Sequence, residues 1–408
     1  MMRGRKRNMV ITGVTSCENR GVEALVASIA AQLHQTGPYD VTVLTQTAST
    51  DRAQLAPWNV ECVADPFVVS TAWEHARPPE TPERAEARSA ALITAADLVV
   101  ATGGDLYTSS YGVSTPYLSA PAAAQRSGVP VAMLAHSVGP FTASEDALAW
   151  TKIALRCEVL TTRESRSQRY VIDDLGLPAA KVTLAADPAF LLPAAPQWRV
   201  EEILSTVGIE TGQPYACIAP SKGIVRFRRL DEAAHTHALS HLIDHLLSRF
   251  HLPVLLIPHV HDSRPHNDDR VLVAELARDR AHPDVHPVLG PLSATEYKGI
   301  AAKSSLVVAE RLHAAIGALS AGVPTAAIGY SQKFLGVFAD TYGDAVPLDH
   351  VHLDVETLVA DERAGARLVA GLHTQAMSQA LSTNLPTVVH RAQLNFTLLL
   401  AVMGALRS

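Results

Sequence analysis

Positively charged side chains follow three strand-like runs in the second half of the chain, and an imidazole stands beside one of them. Arg311 and His313 come directly after the apolar run Leu306–Val308, at the start of a helical pattern. Lys222 and Lys333 follow two other apolar runs. A guanidinium fork and a helix N-terminus both favour carboxylate or phosphate, and an imidazole can transfer a proton near neutral pH. Although such cations usually lie on solvated surface, their position at strand ends favours a site for an anionic small molecule.

Three strand-like runs of the first half end in small or polar residues. Asn19 and Glu23 stand in a turn that opens a helix, where free backbone N–H groups favour anions, although the spacing is not that of a dinucleotide-binding turn. Gly103-Gly104-Asp105 would let a ligand approach the backbone closely, and its carboxylate can accept hydrogen bonds from sugar hydroxyls. His136 also follows a strand. The first two motifs are also compatible with ordinary turns, and a lone histidine at a strand end is more often structural.

Side chains that could bind a metal are concentrated in one loop-like segment. They are His259, His261, Asp262, His266, Asp268 and Asp269. The spacing of the histidines matches no zinc-binding pattern, so we expect no metal site. The four cysteines are far apart, which fits neither a zinc site nor a disulfide framework and is typical of a reducing compartment.

The composition limits the class of protein. The chain has 408 residues, is 48% apolar and carries a formal charge of −6. It can therefore bury a sizeable core, and its slight acidic excess opposes a general nucleic-acid binder. The N-terminus lacks the apolar run of a signal peptide, and the most hydrophobic segment, Thr397–Leu406, is about half of the ~20 residues that span a bilayer. We expect a soluble, cytoplasmic protein.

Short apolar runs alternate with helix-length stretches, which predicts parallel sheets covered by helices. A proline-rich segment at residues 192–197 marks the junction between two domains. We predict a first domain at residues 1–195, a linker at 196–214, a second domain at 215–380 and a C-terminal helix at 381–408, in which Pro386–Leu406 has an amphipathic helical pattern. Two such doubly wound α/β units would leave an interdomain cleft beyond the carboxyl ends of the strands. The loop Ser70–Pro82 is a candidate lid for it.

Seven short motifs, in matching order along most of the chain, resemble those of the polysaccharide pyruvyl transferase family. They are Asn19-Arg20-Gly21-Val22-Glu23-Ala24, Gly103-Gly104-Asp105, Gly139-Pro140-Phe141, Arg163-Glu164-Ser165-Arg166-Ser167, Asp187-Pro188-Ala189-Phe190, Arg311-Leu312-His313 and Tyr330-Ser331-Gln332-Lys333. The chain departs from the family pattern at His136, where many members have glutamine, and at Lys222, where arginine is common.

The resemblance implies a GT-B-like fold of two Rossmann-like domains, the second binding phosphoenolpyruvate and the first a sugar acceptor. Phosphoenolpyruvate would be a co-substrate, with no cofactor or metal. The implied donor-binding residues are Lys222, Arg226, Arg311, Leu312 and Lys333. The implied acceptor-binding residues are Asn19, Glu23, Gly103, Gly104, Asp105 and His136. Arg311 and His313 would carry catalysis, with His313 as general acid or base.

The implied reaction transfers the enolpyruvyl-derived group onto sugar hydroxyls as a pyruvate ketal and releases phosphate, in the biosynthesis of polysaccharides of the cell envelope. The acceptor stays open among a cell-wall polymer, a lipid-linked oligosaccharide and a small glycosylated metabolite. A lipid-linked acceptor would bring the protein to the inner face of the membrane. Alanine at Arg311 or His313 is expected to abolish turnover and leave the fold intact.

Two other functions are compatible with the same architecture. A nucleotide-sugar glycosyltransferase of GT-B type would need a base pocket and a carboxylate for the ribose, and no E-x₆-E pattern follows Arg311. A non-catalytic glycan-binding relative would have no need of Arg311, His313 and Lys333 together. Binding of phosphoenolpyruvate rather than nucleotide sugars, and release of phosphate, would separate these alternatives.

Overall fold

The computed structural model describes residues 6–67, 81–109, 115–329 and 332–405. Most of the predicted lid, Ser70–Pro82, lies outside the described residues. The chain divides into two compact units: the first comprises Met1–Glu18, Val22–Leu192 and Val389–Ser408, and the second comprises Asn19–Gly21 and Pro193–Val388. The division after Leu192 lies within the proline-rich segment chosen as the junction. The C-terminal segment, predicted as a separate helix, returns to the first unit from Val389 onward.

The first unit is built on an eight-stranded sheet in which all strand pairs are parallel. Its strands are β1 (Arg7–Val14), β2 (Tyr39–Thr45), β3 (Glu61–Ala64), β4 (Leu98–Ala101), β5 (Gly104–Tyr107), β6 (Val131–Val138), β7 (Val159–Thr162) and β8 (Thr183–Leu184). They lie in the order β3-β2-β1-β4-β6-β7-β8, with β5 beside β6. The helices between them are α1 (Arg20–Thr36), α2 (Ala48–Leu55), α3 (Pro82–Thr94), α4 (Ser119–Arg126), α5 (Ser144–Leu155) and α6 (Ser165–Arg169).

Helices cover both faces of this sheet, which explains why its central strands are continuously apolar. All four residues of β4 are buried. Leu98 and Val100 contribute to one hydrophobic cluster, whereas Val99 and Ala101 contribute to another. This alternation gives the first unit one core on each face of its sheet.

The second unit is built on a six-stranded parallel sheet with the order β11-β10-β9-β12-β13-β14. Its strands are β9 (Ala216–Ala219), β10 (Val254–Leu256), β11 (Val285–Pro287), β12 (Leu306–Ala309), β13 (Thr325–Gly329) and β14 (His352–Asp354). Its helices are α7 (Gln197–Thr206), α8 (Lys222–Arg228), α9 (Glu232–Phe250), α10 (Asp269–Arg280), α11 (Ala294–Lys303), α12 (Leu312–Leu319), α13 (Gln332–Tyr342), α14 (Leu348–Val351), α15 (Val355–Ala360) and α16 (Ala364–Gly371). Two doubly wound α/β units were predicted, and both sheets have that form.

The last helix, α17 (Thr374–Ala405), begins twelve residues before Pro386 and contains that proline in its interior. By length and composition it is the one helix among the described residues that could cross a bilayer, with a mean hydropathy of 1.2 over its most apolar window. Phe396, Leu399 and Met403 belong to a hydrophobic core cluster of the first unit. Packing of this face therefore accounts for part of the apolar character of α17.

Two wholly buried tyrosines, one in each unit, differ in the hydrogen bonding of their hydroxyl groups. Within the described part of the chain, the Tyr107 hydroxyl has no hydrogen-bond partner. The Tyr342 hydroxyl donates to the carbonyl of Thr325 at 2.9 Å and accepts from its N–H at 2.8 Å. An unsatisfied buried polar group costs about 1–3 kcal/mol, whereas a satisfied one stabilises the fold.

We expect Tyr107→Phe to raise the free energy of unfolding by about 1 kcal/mol and Tyr342→Phe to lower it by about 1–2 kcal/mol. Urea denaturation of both variants measures the difference. A loss of stability in Tyr107→Phe would show that an ordered water satisfies its hydroxyl.

Candidate functional site

Polar side chains gather at the carboxyl ends of four neighbouring strands in the second unit. Lys222 follows β9, His259 follows β10, Arg311 follows β12 and Lys333 follows β13. These strands are adjacent in the order β10-β9-β12-β13, so their carboxyl ends share one edge of the sheet. This is the edge at which doubly wound sheets bind ligands.

A buried carboxylate, Asp269, holds the guanidinium of Arg311. Arg311 Nε donates to Asp269 Oδ2 at 2.9 Å, and Nη2 donates to Oδ1 at 2.6 Å. The same carboxylate accepts the backbone N–H groups of Lys222 at 2.9 Å, His259 at 3.2 Å and Val260 at 2.9 Å. Asp269 is fully buried, whereas 17% of the Arg311 side chain is exposed. Asp269 thereby fixes both the guanidinium and the turns that follow β9 and β10.

The imidazole of His313, the second residue of α12, packs directly against Gly21. A Cβ atom at Gly21 would lie 2.3 Å from Nδ1 and 3.0 Å from Cβ of His313, so a larger residue would force the ring to move. The Asn19 side-chain oxygen accepts the N–H of Gly21 at 3.0 Å, and Asn19 forms an isolated antiparallel bridge with Val260. Asn19, predicted to bind the acceptor, here holds the backbone beside His313.

The family resemblance implies that His313 is catalytic, so we expect Gly21→Ala to lower kcat of the implied pyruvyl transfer about 100-fold, because a displacement of about 1 Å at a catalytic group can have an effect of that size. Gly21 lies in the first turn of α1, where alanine is a better helix former than glycine, so the fold should be retained. Steady-state rates and thermal melts of the variant test this expectation, with Gly404→Ala as a control, because Gly404 also lies in a helix and a Cβ atom there would meet no atom within 4 Å. A wild-type kcat in Gly21→Ala would show that the His313 ring can move without loss.

Two further imidazoles, His259 and His261, lie at the same strand edge and are held in the neutral form. Burial lowers the pKa of His259 well below its usual value, and the nearby charge of Arg311 acts in the same direction. Burial, with the charge of Arg20, lowers the pKa of His261 to about 3. His266, the third histidine of this segment, is exposed. In residues 6–67, 81–109, 115–329 and 332–405, no group of three or more His, Cys, Asp or Glu side chains is placed to hold a metal ion.

The other donor-binding residues predicted from the family resemblance have surroundings that differ from those of Arg311. The ammonium group of Lys222 contacts Glu232 and lies 3.1 Å from Glu275, and only 6% of its side chain is exposed. The guanidinium of Arg226 lies over the ring of Phe227 at 5.0 Å. Leu312 is buried, and Lys333 Nζ lies 5.8 Å from the ring of Phe334. The structure thus groups Arg311 and His313 with His259, and it gives Lys222 two carboxylate partners.

The predicted acceptor-binding residues of the first unit are mostly interior. Gly103 packs against β6, since a Cβ there would lie 2.9 Å from the carbonyl oxygen of Ala135. His136 is wholly buried with its ring centroid 4.6 Å from that of Tyr107, and burial lowers its pKa to about 3. Glu23 and Gly104 are buried as well, whereas Asp105 is partly exposed. Of these predicted residues of the first unit, Asp105 is therefore the one that is not buried.

Two other motifs of the resemblance form a buried polar cluster in the first unit. Arg163 donates to Asp187 Oδ2 at 2.8 Å and to Ser137 Oγ at 2.8 Å, with 1% and 0% of the two charged side chains exposed. Asp187 also caps the turn that follows, because Oδ1 accepts the N–H of Ala189. These contacts give both motifs a structural role.

Sequence reasoning missed the roles of Asp269, His259, His261 and Arg20. The histidines and Asp269 had been considered only as metal ligands, and Arg20 only as the variable position of a motif. The sequence feature that could have identified two of them is their position: His259 follows a strand and Asp269 stands at a helix start. The same feature identified Arg311. Nothing in the spacing of residues 19–21 indicated that this segment packs with residues 240 positions later.

Comparisons with known proteins agree with this architecture. A curated relative, the amylovoran biosynthesis protein AmsJ of Erwinia amylovora, is 27% identical over 251 residues, which are 59% of this chain and 58% of that protein. The chain therefore matches little more than half the length of this relative. The solved structure of UDP-GlcNAc 2-epimerase from Neisseria meningitidis bound to UDP-GlcNAc has a TM-score of 0.58 at 12% identity and covers 94% of this chain and 100% of that one.

Another similar structure is that of Anabaena HepE in complex with UDP and glucose, with a TM-score of 0.58 at 12% identity and coverage of 99% of this chain and 100% of that one. At such identities these structures show the fold alone, and they confirm the predicted GT-B-like α/β class. The sequence profile described as polysaccharide pyruvyl transferase matches residues 19–332. The resemblance drawn from seven short motifs is thus confirmed, and the chain belongs to the polysaccharide pyruvyl transferase family.

Proposed function

We propose that the second unit binds phosphoenolpyruvate and that the protein transfers its three-carbon group to a glycan as a pyruvate ketal. The observation that carries this proposal is the guanidinium of Arg311, which buried Asp269 holds at a strand end two residues from His313. A fixed cation beside an imidazole is suited to a substrate that carries negative charge and must exchange a proton. Membership in the family supports the same donor.

Arg311 and the start of α12 together offer two features that favour an anion. Arg311 is the N-cap residue of this helix, and its side chain makes no capping hydrogen bond because it pairs with Asp269 instead. The N-terminus of a helix carries partial positive charge, so an oxyanion placed there gains from both the helix and the guanidinium. Phosphoenolpyruvate carries a phosphate and a carboxylate, and we assign Arg311 to one of these groups. The loss of one such contact lowers transition-state stabilisation by about 2–4 kcal/mol.

The reaction balances without an external acid. Protonation of the methylene carbon of phosphoenolpyruvate gives a methyl group and an oxocarbenium-like centre at the neighbouring carbon. One sugar hydroxyl bonds to that carbon, and a second hydroxyl then displaces phosphate, which leaves with the electron pair of its C–O bond. Of the two hydroxyl protons, one ends on the methyl carbon and the other on phosphate. His313 is the group proposed to move a proton between oxygen and carbon.

We place the acceptor among the glycans of polysaccharide biosynthesis. The family name and the printed name of AmsJ, a protein of amylovoran biosynthesis, both support an acceptor of this class. Asp105, the second residue of β5 and partly exposed, would accept hydrogen bonds from the acceptor's hydroxyls. Since phosphoenolpyruvate is a cytoplasmic metabolite, the proposal also places the reaction in the cytoplasm, and a lipid-linked acceptor would bring the protein to the membrane surface.

Incubation of the purified protein with phosphoenolpyruvate and a panel of free and lipid-linked glycans tests the function. We expect release of phosphate that depends on the acceptor, and a glycan whose mass increases by one pyruvate ketal. Arg278→Ala is a matched control, since this arginine of the same unit is 73% exposed and pairs with Asp279 on the surface.

A thermal-shift comparison of phosphoenolpyruvate with UDP-sugars adds a readout that needs no acceptor. Stabilisation by phosphoenolpyruvate supports the proposed donor. Stabilisation by UDP-sugars alone would contradict the proposal and favour a glycosyltransferase.

A further inference from the structure

A chain of hydrogen bonds in the second unit runs from Tyr297 through His261 to Arg20. His261 Nε2 lies 2.8 Å from the hydroxyl oxygen of Tyr297, and His261 Nδ1 lies 3.1 Å from Nη2 of Arg20. All three side chains are buried, with 0%, 6% and 4% exposed in the order Tyr297, His261, Arg20. None of them was among the residues assigned to the site from the sequence.

The direction of each hydrogen bond in this chain follows from the chemistry of arginine. A guanidinium can only donate, so Nδ1 of His261 must accept the hydrogen bond from Arg20. The single proton of the neutral imidazole is then on Nε2, which donates to the hydroxyl oxygen of Tyr297. Arg20 thus selects the tautomer of His261, and the Tyr297 hydroxyl, which can also accept, holds the N–H of that tautomer.

The backbone of Arg20 is held by hydrogen bonds, and the residue next to it packs against His313. The N–H of Arg20 donates to the carbonyl of His259 at 2.9 Å, and Asn19 bridges to Val260. The next residue, Gly21, is the surface against which the His313 ring packs. A shift of Arg20 would therefore move the residue that limits the position of the His313 imidazole.

We propose that Tyr297, His261 and Arg20 form a positioning chain that sets the orientation of the His313 imidazole. The inference rests on the proposed function, in which His313 moves a proton. None of the three side chains needs to touch a substrate. Their loss should therefore lower kcat more than it raises the KM for phosphoenolpyruvate.

Two conservative variants of His261 separate this role from simple filling of space. In His261→Asn the side-chain oxygen can occupy the position of Nδ1 and accept from Arg20, whereas in His261→Gln the amide reaches only the position of Nε2 and the acceptor for Arg20 is lost. We expect kcat to fall less than about threefold in His261→Asn and at least about tenfold in His261→Gln, with KM nearly constant in both. Tyr297→Phe should lie between them.

His286→Gln is a matched control in the same unit. The imidazole of His286 is partly buried and its Nδ1 lies 2.7 Å from the carbonyl oxygen of Val207, outside the candidate site. A similar loss of thermal stability in His286→Gln and His261→Gln, with kcat lowered only in the latter, would support the proposal. Equal kcat in His261→Asn and His261→Gln would overturn it.

The nitrogen resonances of labelled histidine provide a readout that needs no turnover. We expect the His313 ring signals to shift in His261→Gln and to stay near their wild-type positions in His261→Asn. If the wild-type protein fails to use phosphoenolpyruvate but these shifts are seen, the proposed function fails and the positioning chain stands. Unchanged His313 signals in His261→Gln would remove the chain whatever the substrate.

Discussion

Replacement of His313 by glutamine is expected to lower kcat for ketal formation about 10²- to 10⁴-fold, the usual contribution of a positioned acid or base. Glutamine fills a similar volume and keeps a hydrogen-bonding group, but it cannot exchange a proton near neutral pH. Since glutamine is close to histidine in size and His313 is only partly buried, the fold should be unaffected. Release of phosphate from phosphoenolpyruvate at saturating acceptor measures the effect.

The KM for phosphoenolpyruvate should change little in His313→Gln, because the proposed contact with the anion is made by Arg311. His286→Gln serves again as the control for loss of an imidazole elsewhere in the unit. A kcat within about threefold of wild type in His313→Gln would assign the proton transfer to another group.

A substitution of Arg311 affects the structure as well as the proposed substrate contact. Alanine at either Arg311 or His313 was expected to abolish turnover and leave the fold intact. The structure shows that Arg311 is also the partner of a wholly buried carboxylate, so its removal leaves Asp269 without a counter-charge. A lower kcat in Arg311→Ala would therefore combine loss of substrate contact with loss of structure, whereas His313→Gln does not.

The placement of Arg311 and His313 at a strand end could be predicted because apolar strands are recognisable in the sequence. Runs such as Leu306–Ala309 are continuously apolar, and the polar residues after them must lie at the sheet edge. The direction of each side chain could not be read in the same way. Lys222 follows a strand as Arg311 does, but Glu232 and Glu275 on the neighbouring helices bind its ammonium group.

The sequence pattern predicted some elements of the fold and not others. Buried central strands such as β12 were predicted, whereas short edge strands such as β11 and β14, of three residues each, were not, since so short a strand carries no clear period. The C-terminal helix was predicted at residues 381–408, yet α17 begins at Thr374 and continues through Pro386, which usually breaks a helix interior. The crossing of residues 19–21 into the second unit depends on contacts that are distant in sequence, which no local pattern contains.

Asp269→Asn is expected to lower the free energy of unfolding by about 3–5 kcal/mol, the usual cost of breaking a buried ion pair by removing one partner. The carboxylate accepts two hydrogen bonds from Arg311 and three from backbone N–H groups, and an amide can accept only with its single oxygen. Burial raises the pKa of Asp269 while the Arg311 charge opposes that rise, so the charged pair depends on both partners. Urea denaturation measures the loss.

The neighbouring residue offers a matched control for that variant. Asp268 makes the same kind of pair with Arg270, but 36% of the arginine side chain is exposed, and asparagine replaces aspartate well as the N-cap of α10. Asp268→Asn should therefore cost less than about 1 kcal/mol. If Asp269→Asn cost no more than Asp268→Asn, Arg311 would not depend on Asp269 for its position. The binding of phosphoenolpyruvate measured by thermal shift should fall with Asp269→Asn and not with Asp268→Asn, because only the first variant frees the guanidinium that is proposed to contact the anion.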